Sequence, residues 1–218
     1  MTLYATKQGD VLTVYNLVSV KKEIDLIPNK NKYRTRGKIK HFSKESKRRL
    51  RKTLFKLKKQ NMLFVTLTYA ENMEDGKRAK SDLDNFCRKV SRRNKKMWFV
   101  WKMEYQERGA IHFHLLVGGV SYKYLRKILN AYWHRGFYHV KIARKIDLYY
   151  FSKYISKDGK KKEKYDGRFW GIYNKEAIAF SKLEMYNLSK ELEGFFITIF
   201  KKKKIENINS SITLYTFQ

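Results

Sequence analysis

Two apolar runs separated by a short turn constrain the fold of this chain more than any other feature. Residues 97–105 and 110–117 are rich in β-branched, aromatic and other apolar side chains, and the turn at 106–109 ends on glycine. This pattern predicts two antiparallel strands joined as a hairpin. Because a hairpin determines which residues face each other, the side chains of its two arms can be placed relative to one another.

The segments around the hairpin alternate between strand and helix patterns. Ser81 is the expected N-cap of a helix whose apolar residues follow at helical spacing. Cys87 lies in this helix and is the chain's single cysteine, so we expect a buried or half-buried thiol rather than a disulfide. The order of elements indicates an α+β fold with a mainly antiparallel sheet. Besides the hairpin, the predicted elements are strands at 62–69 and 136–143 and helices at 81–96, 122–133 and 146–157.

The chain is extremely basic. Its 218 residues carry 50 Lys and Arg against 20 Asp and Glu, a formal charge of +30. A compact protein with this charge repels itself unless an acidic partner neutralises it, and nucleic acid is the expected partner. An anionic membrane is the competing partner, but the sequence has no run of about 18 apolar residues. The opening MTLYATKQGD also lacks the basic-then-apolar order of a signal peptide, so we expect a cytoplasmic protein.

Three metal-type ligands cluster in the hairpin. His112 and His114 are two residues apart on one predicted strand, so their side chains share a face. If the turn centres on Arg108, Glu104 lies directly across from His112. Two imidazoles and one carboxylate suit Mg²⁺ or Mn²⁺, with Zn²⁺ as the alternative. The competing interpretation is a pair of ordinary surface or core histidines.

A second candidate cluster lies in the predicted helix at 146–157. Positions four residues apart on a helix share a face, which pairs Tyr150 with Tyr154 and places Lys153 and Lys157 beside them. A tyrosine hydroxyl with its ordinary pKa of about 10 attacks phosphorus poorly, so it requires nearby cations and a metal that polarises the phosphate. An aromatic helix face is otherwise a core face. The two clusters together predict a metal-assisted tyrosine nuclease.

At this point the chain resembles the HUH-type rolling-circle replication initiators (Rep endonucleases) of plasmids and single-stranded DNA phages. The likeness covers roughly residues 62 to 175 and has three motifs in order. The segment FVTLTY at 64–69 resembles the first motif, Glu104 with His112 and His114 the metal motif, and Tyr150-x-x-Lys153-Tyr154-x-x-Lys157 the two-tyrosine nucleophile motif. The resemblance implies a central five-stranded antiparallel sheet, RRM-like, flanked by helices.

The resemblance also implies a function, a metal-dependent DNA endonuclease and strand transferase that nicks and rejoins single-stranded DNA at a replication origin. The intermediate would be a 5′-phosphotyrosine, with Tyr154 favoured as the first nucleophile and Tyr150 as the second nucleophile or helper. The sequence has no G-x-x-x-x-G-K-[ST] motif, so a host helicase and polymerase are the expected partners. The alternatives are an HUH transposase or relaxase, and a noncatalytic RRM-like nucleic-acid-binding module.

The flanking segments are basic, and the chain divides by composition into an N-terminal extension at 1–60, a nuclease core at 61–160 and a C-terminal extension at 161–218. Within the first, residues 44–59 place leucines at helical spacing among many cations, which predicts a helix lying along phosphates. The alternative is a solvated helix docked by its leucines. The candidate DNA-binding residues are Arg48, Arg49, Arg51, Lys52 and Lys56.

Overall fold

The chain forms two compact units in a computed structural model that describes residues 3–16, 39, 42–58, 60–144, 147–148, 151, 165, 167–202 and 211–215. The first unit contains the described parts of Met1–Arg36, Phe55–Lys58 and Phe180–Gln218. The second contains the described parts of Gly37–Leu54 and Lys59–Ala179. Among the helices that the structure describes, none combines the length and the apolarity needed to cross a membrane.

The first unit is built on a four-stranded antiparallel sheet that brings residues from both ends of the chain together. Its strands are β1 (Leu3–Gln8), β2 (Val11–Asn16), β8 (Leu183–Asn187) and β9 (Ser211–Tyr215), in the order β8-β1-β2-β9. The last helix, α4 (Lys190–Lys202), belongs to the same unit, and its Phe196 joins a core with Leu3, Ala5 and Val14. The charge of the N-terminal segment concealed this sheet in the sequence.

The second unit contains the five-stranded antiparallel sheet that the resemblance implied. Its order is β6-β3-β5-β4-β7, which confirms the predicted fold class. The strands are β3 (Leu63–Tyr69), β4 (Trp98–Tyr105), β5 (Ile111–Gly118), β6 (Gly136–Ile142) and β7 (Trp170–Tyr173). The helices are α1 (Lys44–Phe55), whose last residue falls in the first unit, α2 (Gly76–Arg93) and α3 (Tyr122–Tyr132), and a 3-10 turn covers Lys175–Ala177.

Side-chain alternation separates the two faces of this sheet. In β3 and in the first half of β5, buried residues alternate with half-buried ones. Phe113, Leu115 and Leu67 are fully buried on one face, and the residues between them in sequence point to the other. Since fully burying one such side chain contributes about 1.5–3 kcal/mol, a register slip by one residue would be heavily penalised.

Helix α2 begins five residues earlier than the sequence pattern predicted. Its N-cap is Asp75, whose Oδ1 accepts hydrogen bonds from the backbone N–H groups of Lys77 at 2.9 Å and Arg78 at 3.2 Å. A carboxylate in this position satisfies donors that the first helical turn leaves unpaired, so the helix starts there and Ser81 lies inside it. Cys87 is fully buried in α2, as expected, and this burial raises the pKa of its thiol.

Helix α1 presents its leucines inward. Leu50 and Leu54 are almost completely buried, while Arg48 and Arg49 are exposed and Arg51 and Lys52 are half-buried. The helix is therefore docked by its apolar side and carries cations on its outer side. Lys56, which follows the helix, belongs to the first unit.

Candidate metal centre

The hairpin of β4 and β5 has the register that the sequence predicted. Glu104 pairs with His112 and Lys102 pairs with His114 across the antiparallel strands. The turn between them is closed by two backbone hydrogen bonds, in which the Gln106 N–H donates to the Ala110 carbonyl at 2.7 Å and the Gly109 N–H donates to the Gln106 carbonyl at 2.9 Å. Opposite residues of such a hairpin share a face, so the carboxylate and both imidazoles lie on the same side of the sheet.

Three ligand atoms converge there. The Nε2 atoms of His112 and His114 lie 3.2 and 3.0 Å from Glu104 Oε2. The potential ligand atoms of the three residues all lie within 4.8 Å of one another. One carboxylate and two imidazole nitrogens on adjacent strands form a donor set that can hold a divalent metal ion. The three side chains keep 17–21% of their surface exposed, so the cluster is recessed but accessible.

Thr66 orients one of the imidazoles. It lies on β3 opposite His114, and its hydroxyl is 3.2 Å from the His114 Nδ1 atom. A hydrogen bond at Nδ1 holds the ring so that Nε2 faces the cluster, which is how second partners usually orient metal-binding histidines. Thr66 belongs to the FVTLTY segment that the sequence identified only as a supporting strand.

Lys102 is a buried cation that the sequence pattern did not bring to attention. Its side chain is only 4% exposed, and its Nζ atom forms an ion pair with Glu104 Oε1. One carboxylate oxygen is thus held by the lysine while the other faces the two histidines. The signal was present, because Lys102 precedes Glu104 by two positions on a strand and therefore shares its face.

Burial keeps both imidazoles neutral. Desolvation, and next the charge of Lys102, lower the pKa of His112 to about 4. Desolvation, followed by the effects of His112 and Lys102, lowers the pKa of His114 to about 3. The contacts with Glu104 by themselves favour protonated rings, but Lys102 already neutralises that carboxylate, so burial decides the outcome. Neutral imidazoles are the form that binds metals.

An aromatic cluster leads from the centre toward the segment that carries the candidate tyrosines. The Phe64 ring lies 5.6 Å from the His114 ring and 5.5 Å from the Phe151 ring, which it meets edge-on. Phe151 is 4% exposed and helical, as are Asp147 and Leu148. The predicted nucleophile residues Tyr150, Lys153, Tyr154 and Lys157 lie outside the described residues.

The other polar residues considered from the sequence lie away from the cluster. Glu107 is exposed in the hairpin turn. His134 follows α3, where its Nε2 atom is 2.8 Å from the Ala131 carbonyl oxygen. His139 is an exposed residue of β6, aligned with Thr66 on the neighbouring strand. Within the described part of the chain, Glu104, His112 and His114 form the one group that can hold a metal ion.

Comparison with known proteins agrees with this assignment at the level of a family. Residues 62–159 match a family model described as a replication-associated protein of the ORF2 type. The matched span includes the sheet strands β3 to β6, the metal centre and the tyrosine segment. No curated protein and no solved structure gives a match. The family match supports a replication-associated protein that binds DNA.

Proposed function

We propose that the chain initiates rolling-circle replication by nicking and rejoining single-stranded DNA in a metal-dependent reaction. The observation that carries this proposal is the convergence of Glu104, His112 and His114 inside a span that matches a replication-associated family. A purely nucleic-acid-binding sheet has no need for a carboxylate and two neutral imidazoles in contact. We place the activity in the core at residues 61–160.

The donor set fits a divalent metal of the Mg²⁺ or Mn²⁺ class. His112 and His114 offer nitrogen ligands without first losing a proton, because their pKa values lie well below neutrality. Thr66 and Lys102 hold the ring of His114 and the carboxylate of Glu104 in position. A bound divalent ion would supply charge that polarises the scissile phosphate.

The nucleophile in this proposal is Tyr154, with Tyr150 as the second nucleophile or helper. The tyrosine oxygen forms a bond to phosphorus while the bond from phosphorus to the 3′ oxygen breaks. The products are a 5′-phosphotyrosine and a free 3′-OH, and the phenolic proton is lost to solvent. Lys153 and Lys157 would favour the phenolate by their charge. The covalent bond conserves the energy of the phosphodiester for the later joining step.

The basic surface supplies binding without sequence selection. Cations release counterions when they neutralise phosphates, which gives a sequence-independent affinity for DNA. In this proposal the outer side of α1 provides part of that surface, and a host helicase and polymerase extend the free 3′-OH. The residues assigned to phosphate contact are Arg48, Arg49, Arg51, Lys52 and Lys56.

The decisive experiment is incubation with single-stranded DNA of the chain's own replicon and Mn²⁺, with and without EDTA, followed by denaturing electrophoresis. We expect a discrete protein–DNA adduct that EDTA abolishes. Tyr154→Phe should abolish the adduct, and Glu104→Gln should reduce it strongly with little change in folding. Tyr149→Phe is the matched control, because it removes a neighbouring hydroxyl from the same segment.

The pattern of variants separates the possible functions. An adduct that persists in Tyr154→Phe but is lost in Tyr150→Phe would reverse the order of the tyrosines. Tight binding without cleavage under every divalent ion would instead support a noncatalytic nucleic-acid-binding module.

A further inference from the structure

Phe137 is an apolar residue in an unusual place. It lies on β6, the edge strand of the five-stranded sheet in its described strands, and 72% of its surface is exposed. Strand pairing aligns it with Thr68 of β3, which is aligned with His112 of β5. Aligned residues share a face, so Phe137 stands on the same face as the metal centre. With strands about 4.8 Å apart, it lies roughly 10 Å from His112 along this row.

The opposite face of the same strand end meets a cationic groove. Tyr138, next to Phe137, points to the other side, where its hydroxyl donates to Asn130 Oδ1 of α3. The Arg126 guanidinium also hydrogen-bonds the Tyr138 hydroxyl. The groove along α3 is lined by Tyr122, Lys123, Arg126, Lys127, Asn130 and Ala131.

Charge identifies the kind of molecule that fits this edge. Three of the groove residues are cations, and the lining carries no carboxylate in the part of the chain that the structure describes. An exposed phenyl ring beside cations is the combination that binds single-stranded nucleic acid, since bases stack on aromatic faces while phosphates meet the cations. An apolar protein partner would gain nothing from Lys123, Arg126 and Lys127.

We propose that single-stranded DNA crosses the β6 edge, with one base stacked on Phe137 and the adjoining backbone held by the α3 groove around Arg126. The stacked base lies on the face of the metal centre and positions the strand there for cleavage. The identity of the nucleic acid rests on the proposed function, whereas the stacking itself does not require catalysis.

The test compares two ligands of equal charge. Fluorescence anisotropy in EDTA measures binding of a dT oligonucleotide of about 16 nucleotides and of an abasic oligonucleotide of the same length. Phe137→Ala should weaken binding of the dT strand by about 5- to 150-fold, and should leave the abasic strand unaffected. Phe137→Trp should restore dT binding. Ile142→Ala is the matched control, because Ile142 is a 66% exposed apolar residue of β6 on the opposite face.

A second variant tests the groove. Arg126→Gln should reduce the salt dependence of binding by about 0.7 in the logarithmic slope for both strands, since one phosphate contact is lost. An unchanged slope would remove the groove from the path.

The outcomes are distinct from those of the nicking assay. Equal affinity of Phe137→Ala and the unaltered protein for dT, or an equal loss on both strands, would overturn the stacking proposal. If no adduct forms in Mn²⁺ while Phe137→Ala still loses dT binding selectively, the catalytic proposal fails and the stacking site stands. If adducts form and the two strands bind Phe137→Ala normally, the reverse holds.

Discussion

Metal binding at the hairpin should be insensitive to pH over a range in which ordinary histidine sites fail. The perturbation is acidification from about pH 7.5 to about pH 5.5, which protonates most histidines of ordinary pKa. Burial lowers the pKa of His112 to about 4 and that of His114 to about 3. Both rings therefore remain neutral and able to bind metal throughout this interval.

The expected difference is large. Two histidines with a pKa of about 6.5 would each become about tenfold less available, so affinity would fall by about 100-fold. With the lowered pKa values of His112 and His114, the loss should be below about twofold. The metal-free protein should show the opposite cost, because its unfolded state takes up protons that its folded state rejects. At about pH 5 this destabilises the fold by about 2 kcal/mol for each histidine.

The assay is calorimetric titration of the metal-free protein with Mn²⁺ at several pH values, in buffers of different ionisation enthalpy. These buffers report how many protons are released on binding. Lys102→Met serves as the comparison, because the Lys102 charge lowers both histidine pKa values. Removing this charge should raise both values and move the acid limit of binding to higher pH, while burial keeps it below the ordinary histidine range.

A more than tenfold loss of affinity by about pH 5.5, together with release of protons on binding, would refute this reasoning. It would mean that Glu104 stabilises protonated imidazoles more than burial opposes them. An unchanged acid limit in Lys102→Met would refute the role of the lysine alone.

Two further predictions concern stability and are checked by urea denaturation. Asp75→Ala should destabilise the protein by about 1 kcal/mol because α2 loses its N-cap, whereas Ser81→Ala, inside the helix, should change stability by less than about 0.5 kcal/mol; equal effects would contradict the assigned helix start. Gly119→Ala should cost more than about 1 kcal/mol, since φ is +73° and the new Cβ would lie 2.0 Å from the Lys96 carbonyl oxygen. Gly194→Ala should stabilise α4 by up to about 1 kcal/mol, because no atom lies within 4 Å of the added carbon; a loss there would show that the helix is not tolerant at this position.

The elements that the sequence predicted well are those whose pattern is local. The hairpin at β4 and β5 has a tight turn and alternating side chains, so its register, and with it the meeting of Glu104 with His112, could be derived from residue spacing. The apolar spacing in α2 likewise identified the side that is buried, including Cys87. The start of α2 was wrong because Asp75 and Ser81 are both acceptable caps, and local sequence does not rank two competing caps reliably.

Contacts between distant segments were beyond the sequence. Nothing in the N-terminal strands β1 and β2 indicates that β8 and β9 complete their sheet, because strand partners far apart in sequence leave no periodic signal in either segment. The exposure of Phe137 was equally hidden, since an aromatic residue in a strand usually packs in a core.

By itself, then, the sequence determined the charge, the faces of the elements and the hairpin that gathers Glu104, His112 and His114. Only the tertiary structure decided that Lys102 holds the Glu104 carboxylate, that Thr66 orients His114 and that both imidazoles are neutral. The reason is physical. Alternation along a strand is set by backbone geometry, whereas burial and the resulting shift of a pKa depend on which distant segments cover the site.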